Sequence, residues 1–304
     1  MAAKTNVTTS AQFTTSAREV DFVSRFSDNW DALRNIMGIM RPIRKAPGTK
    51  LVSYKASVDG GLKGGTVDEG DEIPFTKMKV EPVAYGDIDI SKYAKSVTIE
   101  SVAKYGADVA VEKTDEAFLV ALQNKVLTDF YTFLGTGTLK VTEKTWQRAL
   151  AMAKGKVLDK FAGLDKDVTE VVGFANIIDA YDYLGDKEIT VQTMFGINYV
   201  ENFMGYRTLF LLPEKYIASK KVIALPVENM DLYYVDPSDS DFAKLGLNYT
   251  VKGETNLIGV HVDGDYSRAT GDMYAIMGMK LWAEYLDGIA VATVQADTGK
   301  AATV

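Results

Sequence analysis

Hydrophobic and polar residues alternate along two stretches of this chain, and the alternation predicts one long, thin β-hairpin. In the first arm, Leu51 to Val58, residues Val52, Tyr54, Ala56 and Val58 fall on one face, with Ser53, Lys55 and Ser57 on the other. In the second arm, Thr76 to Ile90, residues Met78, Val80, Ile88 and Ile90 share a face opposite Lys77, Lys79, Glu81, Asp87 and Asp89. Strict period two is the pattern of a half-buried strand. Between the arms lies a tip with Gly60, Gly61, Gly64, Gly65 and Gly70 and the acids Asp68, Glu69, Asp71 and Glu72. At ~3.3 Å per residue an eight-residue arm reaches about 26 Å. An isolated two-stranded ribbon is only marginally stable in water. Its apolar face must therefore be covered, by another part of this chain or by a neighbouring copy.

Elsewhere the apolar positions repeat at helical spacing. Residues 1–15 read as a flexible arm. Ser16 and Glu19 form a Ser-x-x-Glu capping box. The helix that follows carries Phe26, Trp30, Leu33 and Met37 and stops at Gly38. A second run, Ser101 to Leu134, reads as mainly helical, with a stripe of Leu119, Leu122, Val126 and Phe133 ended by Gly135. Within it, Thr114, Asp115 and Glu116 suit a fresh N-terminus. Further helices are expected at Thr145 to Lys160 and Asn176 to Leu184. Strands are expected at Val168 to Phe174, Thr208 to Leu212, Val222 to Leu225 and Leu232 to Val235. At the end of the chain, Met273 to Tyr285 and Ile289 to Val294 read as two strands joined through Asp287-Gly288 as a hairpin. The second of these is apolar enough to be a central strand.

Composition narrows the classes without choosing among them. The 304 residues suit one large domain or two small ones, with 47% hydrophobic and 25% charged residues. Zero cysteines exclude disulfides and thiolate chemistry. The single histidine, His261, lies between Val260 and Val262 and reads as structural. The first residues lack the continuous apolar core of a secretion signal, and no apolar run approaches the ~18 residues that span a bilayer. A net charge of −7 argues against a dedicated nucleic-acid binder, though not against a protein that encloses nucleic acid without gripping it. The charge is uneven. Residues 1–50 hold eight bases and four acids, including the basic stretch Arg41, Arg44 and Lys45, whereas residues 51–90 hold four bases and eight acids. Arm and hairpin are complementary.

Candidate chemistry is sparse. Gly60 to Gly65 (GGLKGG) lacks the Gly-Lys-Ser/Thr ending of a phosphate loop and does not lead from a strand into a helix. Asp263-Gly-Asp265-Tyr-Ser267 opens like a calcium loop, but Arg268 stands where glycine is needed and Tyr274 where glutamate is needed. Asp87 and Asp89 share a strand face without a third ligand. No nucleophile has an evident base. No cofactor or metal is expected, and a non-enzymatic role follows.

The order of parts is an N-terminal arm, helix, projecting hairpin, long helix, mixed region and closing apolar strands. In that order the chain resembles the major capsid proteins of tailed bacteriophages, whose α+β fold is shared with encapsulins and the herpesvirus capsid floor. The segment Asp272 to Val291 (DMYAIMGMKLWAEYLDGIAV), with its Glu284-x-x-Asp287-Gly288-Ile289 ending, carries most of the resemblance. Ile223 to Asn229 (IALPVEN) and Val171 to Ile178 (VVGFANII) add to it.

The resemblance implies five parts. These are an N-terminal arm and helix over 1–46, an extended hairpin loop over 47–93, a peripheral domain with its spine helix over 94–135, an axial domain over 136–262, and C-terminal strands over 263–304 that complete the peripheral domain. It implies copies assembling through hexamers and pentamers into an icosahedral shell around double-stranded DNA, in a virion put together in the host bacterial cytoplasm. A portal protein and a separate scaffolding protein are the other partners implied, since no room for a scaffolding segment precedes the first helix. The hairpin would lie over an adjacent subunit, with Asp68, Glu69, Asp71 and Glu72 approaching that subunit's Arg41, Arg44 or Lys45. Two alternatives stand beside this reading. One is an encapsulin-like nanocompartment shell with a protein cargo; the other is a monomeric β-rich binding protein whose hairpin packs internally.

Overall fold

The computed structural model describes residues 17–37, 39–185, 191–194, 197–252 and 256–295. The first helix, α1 (Ala17–Met37), forms because Phe22, Val23, Phe26 and Trp30 recur at helical spacing and are buried together. Ser16 and Gly38, its expected cap and stop, lie outside the described residues. The capping box therefore falls on an undescribed residue. The buried Glu19 carboxylate accepts from the Thr250 hydroxyl at 2.8 Å and from the Val262 backbone N–H, tying α1 to a strand more than two hundred residues away.

The basic, proline-marked stretch becomes a short strand, β1 (Arg41–Lys45). The hairpin follows as β2 (Leu51–Asp59) and β3 (Lys77–Gly86). The second arm is shorter than the alternation suggested, because Gly86 turns at φ +80°. Ile88 and Ile90 therefore leave the ribbon, and Ile90 opens β4 (Ile90–Thr98) in another sheet. The expected single helical run is broken in the same way. The helix α2 (Ile99–Tyr105) ends at Gly106, also at φ +80°, and a π-helical turn at Asp108–Glu112 leads into the long helix α3 (Lys113–Gly135).

The remaining elements are β5 (Leu139–Glu143), α4 (Trp146–Ala162), β6 (Val171–Asn176), α5 (Ile177–Leu184), β7 (Gln192–Met194), β8 (Ile197–Glu201), β9 (Thr208–Leu212), β10 (Lys221–Pro226), β11 (Met230–Val235), α6 (Ser240–Ala243), β12 (Ile258–Asp265), β13 (Thr270–Ala283) and β14 (Ala290–Val294). Thr145 and Asn176 cap α4 and α5 by accepting from the Arg148 and Ile178 N–H groups.

Two large sheets organise the molecule. One has five strands, with β1 parallel to β11, β11 and β12 antiparallel to β13, and β4 antiparallel to β13 as well. The other has seven, in the order β5-β14-β10-β6-β9-β8-β7. Alternation splits the second sheet between two cores. Val172, Phe174, Phe210, Leu212, Ile223 and Leu225 face the cluster built on α1 and α3. Val171, Ala175, Leu209, Leu211, Val222 and Ala224 face the cluster around α4. A sheet buried on both faces needs apolar residues at every position, which is why β6, β9 and β10 read as continuous runs.

The expected C-terminal hairpin does not form. β13 lies in the five-stranded sheet and β14 in the seven-stranded one, between β5 and β10, and a 3-10 turn at Leu286–Gly288 carries the chain across. Gly288 is required by close packing rather than by a hairpin turn. A Cβ there would stand 2.5 Å from the Phe161 ring. Among the described residues no helix is long and apolar enough to cross a membrane.

Candidate inter-subunit surface

The hairpin is rooted firmly and then leaves the protein. Leu51 is buried at its base, and a register shift follows between Leu51 and Val52. Lys55 places its ammonium 4.9 Å from the centre of the Tyr285 ring, Tyr85 packs on Trp282, and the Lys280 ammonium donates to the Asp87 carbonyl at 2.8 Å. Beyond this root the register pairs Val52 with Ala84, Tyr54 with Pro82, Ala56 with Val80 and Val58 with Met78. Directly opposed residues of an antiparallel pair share a face, so these eight make one apolar face. Pro82 is tolerated because a two-stranded ribbon has free outer edges. The other face pairs Lys55 with Glu81, Ser57 with Lys79 and Asp59 with Lys77, the last as an ion pair of 2.8 Å.

The apolar face stays open to solvent. Val52, Val58, Met78 and Val80 are exposed, and Tyr54 is 70% exposed. The tip adds Leu62 at 86% and Phe75 at 88%. Eight of the 24 large apolar residues that the described chain exposes lie between residues 52 and 80. Loose single exposures are ordinary, whereas this concentration marks an interaction surface. All five tip glycines take φ between +79° and +111°. The glycine cluster therefore serves a series of left-handed turns. The Thr76 hydroxyl braces the loop, accepting from the Lys63 N–H at 3.0 Å and donating to the Lys63 carbonyl at 3.2 Å.

The charged residues expected to meet across subunits lie as follows. Asp68, Glu69, Asp71 and Glu72 are exposed and enter no ion pair among the described residues. The three bases already have company in their own chain. The Arg41 guanidinium donates to Asp231 at 3.0 Å, and that hydrogen bond raises its pKa above the usual arginine value. Arg44 stands 3.3 Å from Asp239 and 3.4 Å from Asp236. Lys45 lies 5.1 Å over the Tyr233 ring. Burial would push the Asp236 carboxyl up, but hydrogen bonds from Ser238 and Asn256 and the Arg44 charge together hold it below the usual carboxylate range.

The other sequence candidates resolve into structural roles. Asp263 to Ser267 spans the end of β12 and the start of the turn to β13, where the Asp265 carboxylate accepts from the N–H and hydroxyl of Ser267. Asp87 and Asp89 are exposed in the loop before β4. His261 Nδ1 lies 3.6 Å from the Glu19 carboxylate. Among the described residues no three His, Cys, Asp or Glu side chains converge as a metal site would require.

One group escaped the sequence. Asp115 stands in the first turn of α3, as a fresh helix N-terminus requires, and is also buried between Arg18 of α1, at 2.5 Å, and Lys95 of β4. Burial alone would raise its pKa, but the hydrogen bonds from Arg18 and Lys95 outweigh it and lower it. Lys95 moves the other way for its class. Burial and the Arg18 charge together lower its pKa more than Asp115 raises it. The cluster joins residues about a hundred positions apart, which no local pattern announces.

No protein-family model matches the sequence, and no curated protein does. Solved structures match in fold. The capsid of the cyanophage P-SCSP1u aligns with a TM-score of 0.57 at 8% identity, covering 84% of this chain and 86% of that one. The mature capsid of bacteriophage PhiM1 gives 0.55 at 7% identity over 85% and 86%. The holo-SrpI encapsulin complex from Synechococcus elongatus PCC 7942 gives 0.50 at 11% identity over 94% and 92%. Identities this low carry the fold alone. The chain has the α+β fold of tailed-phage major capsid proteins, and encapsulins share it.

Proposed function

We propose that this chain is the subunit of a closed protein shell, assembled through hexamers and pentamers into the icosahedral head that holds the double-stranded DNA of a tailed bacteriophage. The observation that carries the reading is the open apolar face of the hairpin on a chain with a shell-forming fold. A neighbouring copy supplies the cover that its own chain does not. In this reading residues 47–93 are the extended loop over the neighbour, α3 is the spine, residues 136–262 cluster about the symmetry axes, and the strands from residue 263 onward complete the periphery. A scaffolding protein and a portal protein would be its assembly partners. The exposed side-chain fractions of Arg41, 74%, and Arg44, 54%, leave room for the acidic tip of a neighbour to share them with Asp231 and Asp239. Lys45 completes the patch.

The match to an encapsulin favours a second reading, a nanocompartment shell around a protein cargo. A monomeric binding protein whose hairpin packs internally is disfavoured, because the hairpin's apolar face is not packed on its own chain. Negative-stain electron microscopy of the purified chain, alone and with the product encoded just upstream, tests the shell. Closed particles of uniform diameter are expected, and monodisperse monomers of about 33 kDa in both samples would overturn it. Nuclease-protected DNA inside native particles separates the phage head from the nanocompartment, which would yield protein instead.

A further inference from the structure

Among the described residues the chain passes between the two large sheets three times: from α3 into β5, from β10 into β11, and from β13 into β14. The three crossings are bonded to one another at one place. The Thr138 N–H donates to the Leu286 carbonyl and the Leu139 N–H to the Ile289 carbonyl, each at 3.3 Å. The Glu284 N–H donates to the Asn229 carbonyl at 3.1 Å. The buried side chain of Asn229 completes the junction. Its amide donates to the Tyr285 carbonyl and accepts from the Tyr285 N–H, both at 2.8 Å. One planar group thus offers a donor and an acceptor to a single backbone residue, as a paired strand would. Ile223 to Asn229 and Asp272 to Val291, the segments that carry the sequence resemblance, meet here.

We propose that Asn229 is the positioning residue that sets the angle between the two sheets and, resting on the shell-subunit reading, the curvature of the shell. The sheets share a core in which Leu232 and Met273 of one lie with Phe174 and Ile223 of the other. Apolar contact is non-directional, so that core holds the sheets together without prescribing an angle. Hydrogen bonds weaken steeply when bent, so the clamp does prescribe one. Packing does not close the junction, since a cavity of about 90 Å³ lies beside the clamp among Phe161, Lys166, Val227, Asn229 and Tyr285. The amide is also the group that fits. A Cβ at Gly288 would stand 3.2 Å from Asn229 Nδ2, which leaves little space for a longer side chain. An aspartate there would turn a carboxylate oxygen toward the Tyr285 carbonyl. Tyr285 carries the clamp outward, with its ring 5.6 Å from that of Phe161 on α4 and 4.9 Å from the Lys55 ammonium at the hairpin root. Copies that touch one another through both bodies close at the curvature this angle prescribes.

The chain has no cysteine, so two engineered ones take spin labels cleanly. Ala94→Cys on β4 and Lys156→Cys on α4 are both exposed, and α4 packs on the seven-stranded sheet. Double electron–electron resonance, with labelled chain diluted into unlabelled chain, reads the distance between them within one copy. A narrow distribution is expected without further change, and a broadened or shifted one in Asn229→Ala. Asn229→Asp keeps the size and the acceptor, loses only the donor, and should shift the distance likewise. Asn176→Ala is the control. Asn176 is 1% exposed, donates to the Ile217 carbonyl at 2.9 Å and accepts from the Ile178 N–H at 2.8 Å. It would lose the same two bonds, but within one body, and should keep the narrow distribution. Unchanged distances in both Asn229 variants, or an equal change in Asn176→Ala, would overturn the clamp. Electron microscopy reads the consequence: altered or mixed particle diameters are expected from the Asn229 variants and the original diameter from Asn176→Ala. A changed distance with the original diameter would overturn the link to curvature. Absence of particles from the unsubstituted chain would count against the shell reading, and the distances would still decide the clamp.

Discussion

Asp115 accepts hydrogen bonds from Arg18 and touches Lys95, with 7% of its side chain exposed. Breaking a buried ion pair by removing one partner typically costs about 3–5 kcal/mol. Asp115→Asn is therefore expected to lower stability by about that amount at neutral pH, read by urea denaturation. The pH dependence follows from the sign of the shift. A carboxyl whose folded pKa is lowered contributes stability above its unfolded value, and loses it as pH falls through the folded value. The gap between wild type and Asp115→Asn should thus close below about pH 4, where unperturbed carboxyls titrate. Asp236, lowered likewise, keeps part of the acid sensitivity in the variant. An unchanged gap at about pH 3 would mean that the cluster does not hold α1 to α3 through charge. Residue-level chemistry of this kind was hidden in the sequence. Arg18, Lys95 and Asp115 are separated by 97 positions end to end, and Glu19 finds its partners further still. Only what repeats locally can be read locally.

At the scale of elements, local repetition was enough for most of the chain. The alternation at Val52 to Val58 and at Met78 and Val80 located the hairpin, and the 3.6-residue spacing at Leu119, Leu122 and Val126 located α3. What failed was pairing. The apolar run after Asp287-Gly288 reads the same whether it returns on β13 or crosses to another sheet, since a local pattern carries no record of its partner strand. The arm's end at Gly86 was equally silent, because Ile88 and Ile90 continue the alternation past it. The hairpin also separates folding from assembly. Val58 and Val80 are exposed within the chain, and exposed substitutions usually move stability by within about 0.5 kcal/mol. Val58→Lys with Val80→Lys should therefore leave the urea midpoint nearly unchanged while abolishing particles under the electron microscope. A large loss of monomer stability would show that the face is covered inside one chain after all.

At the scale of the whole molecule, two forces could hold copies together, and their magnitudes differ. Eight partly exposed apolar side chains, each recovering about 1 kcal/mol of a full burial worth 1.5–3, give roughly 8 kcal/mol per contact before ordering costs. Four ion pairs from the acidic tip give ~0–1 kcal/mol each and are screened by salt. The bases they would meet are already engaged with Asp231, Asp236 and Asp239, which lowers their share further. The apolar face should therefore decide whether particles form, and the charges should set register and rate. Reversing Asp68, Glu69, Asp71 and Glu72 to lysine is expected to slow assembly and alter its salt dependence, followed by light scattering, without preventing closed particles. Because apolar burial weakens on cooling whereas ion pairs weaken with salt, intact particles should loosen near 0 °C more readily than in molar sodium chloride. Dissociation by salt at room temperature, with no effect of cold, would reverse the order of the two forces and make the tip acids the primary bond between copies.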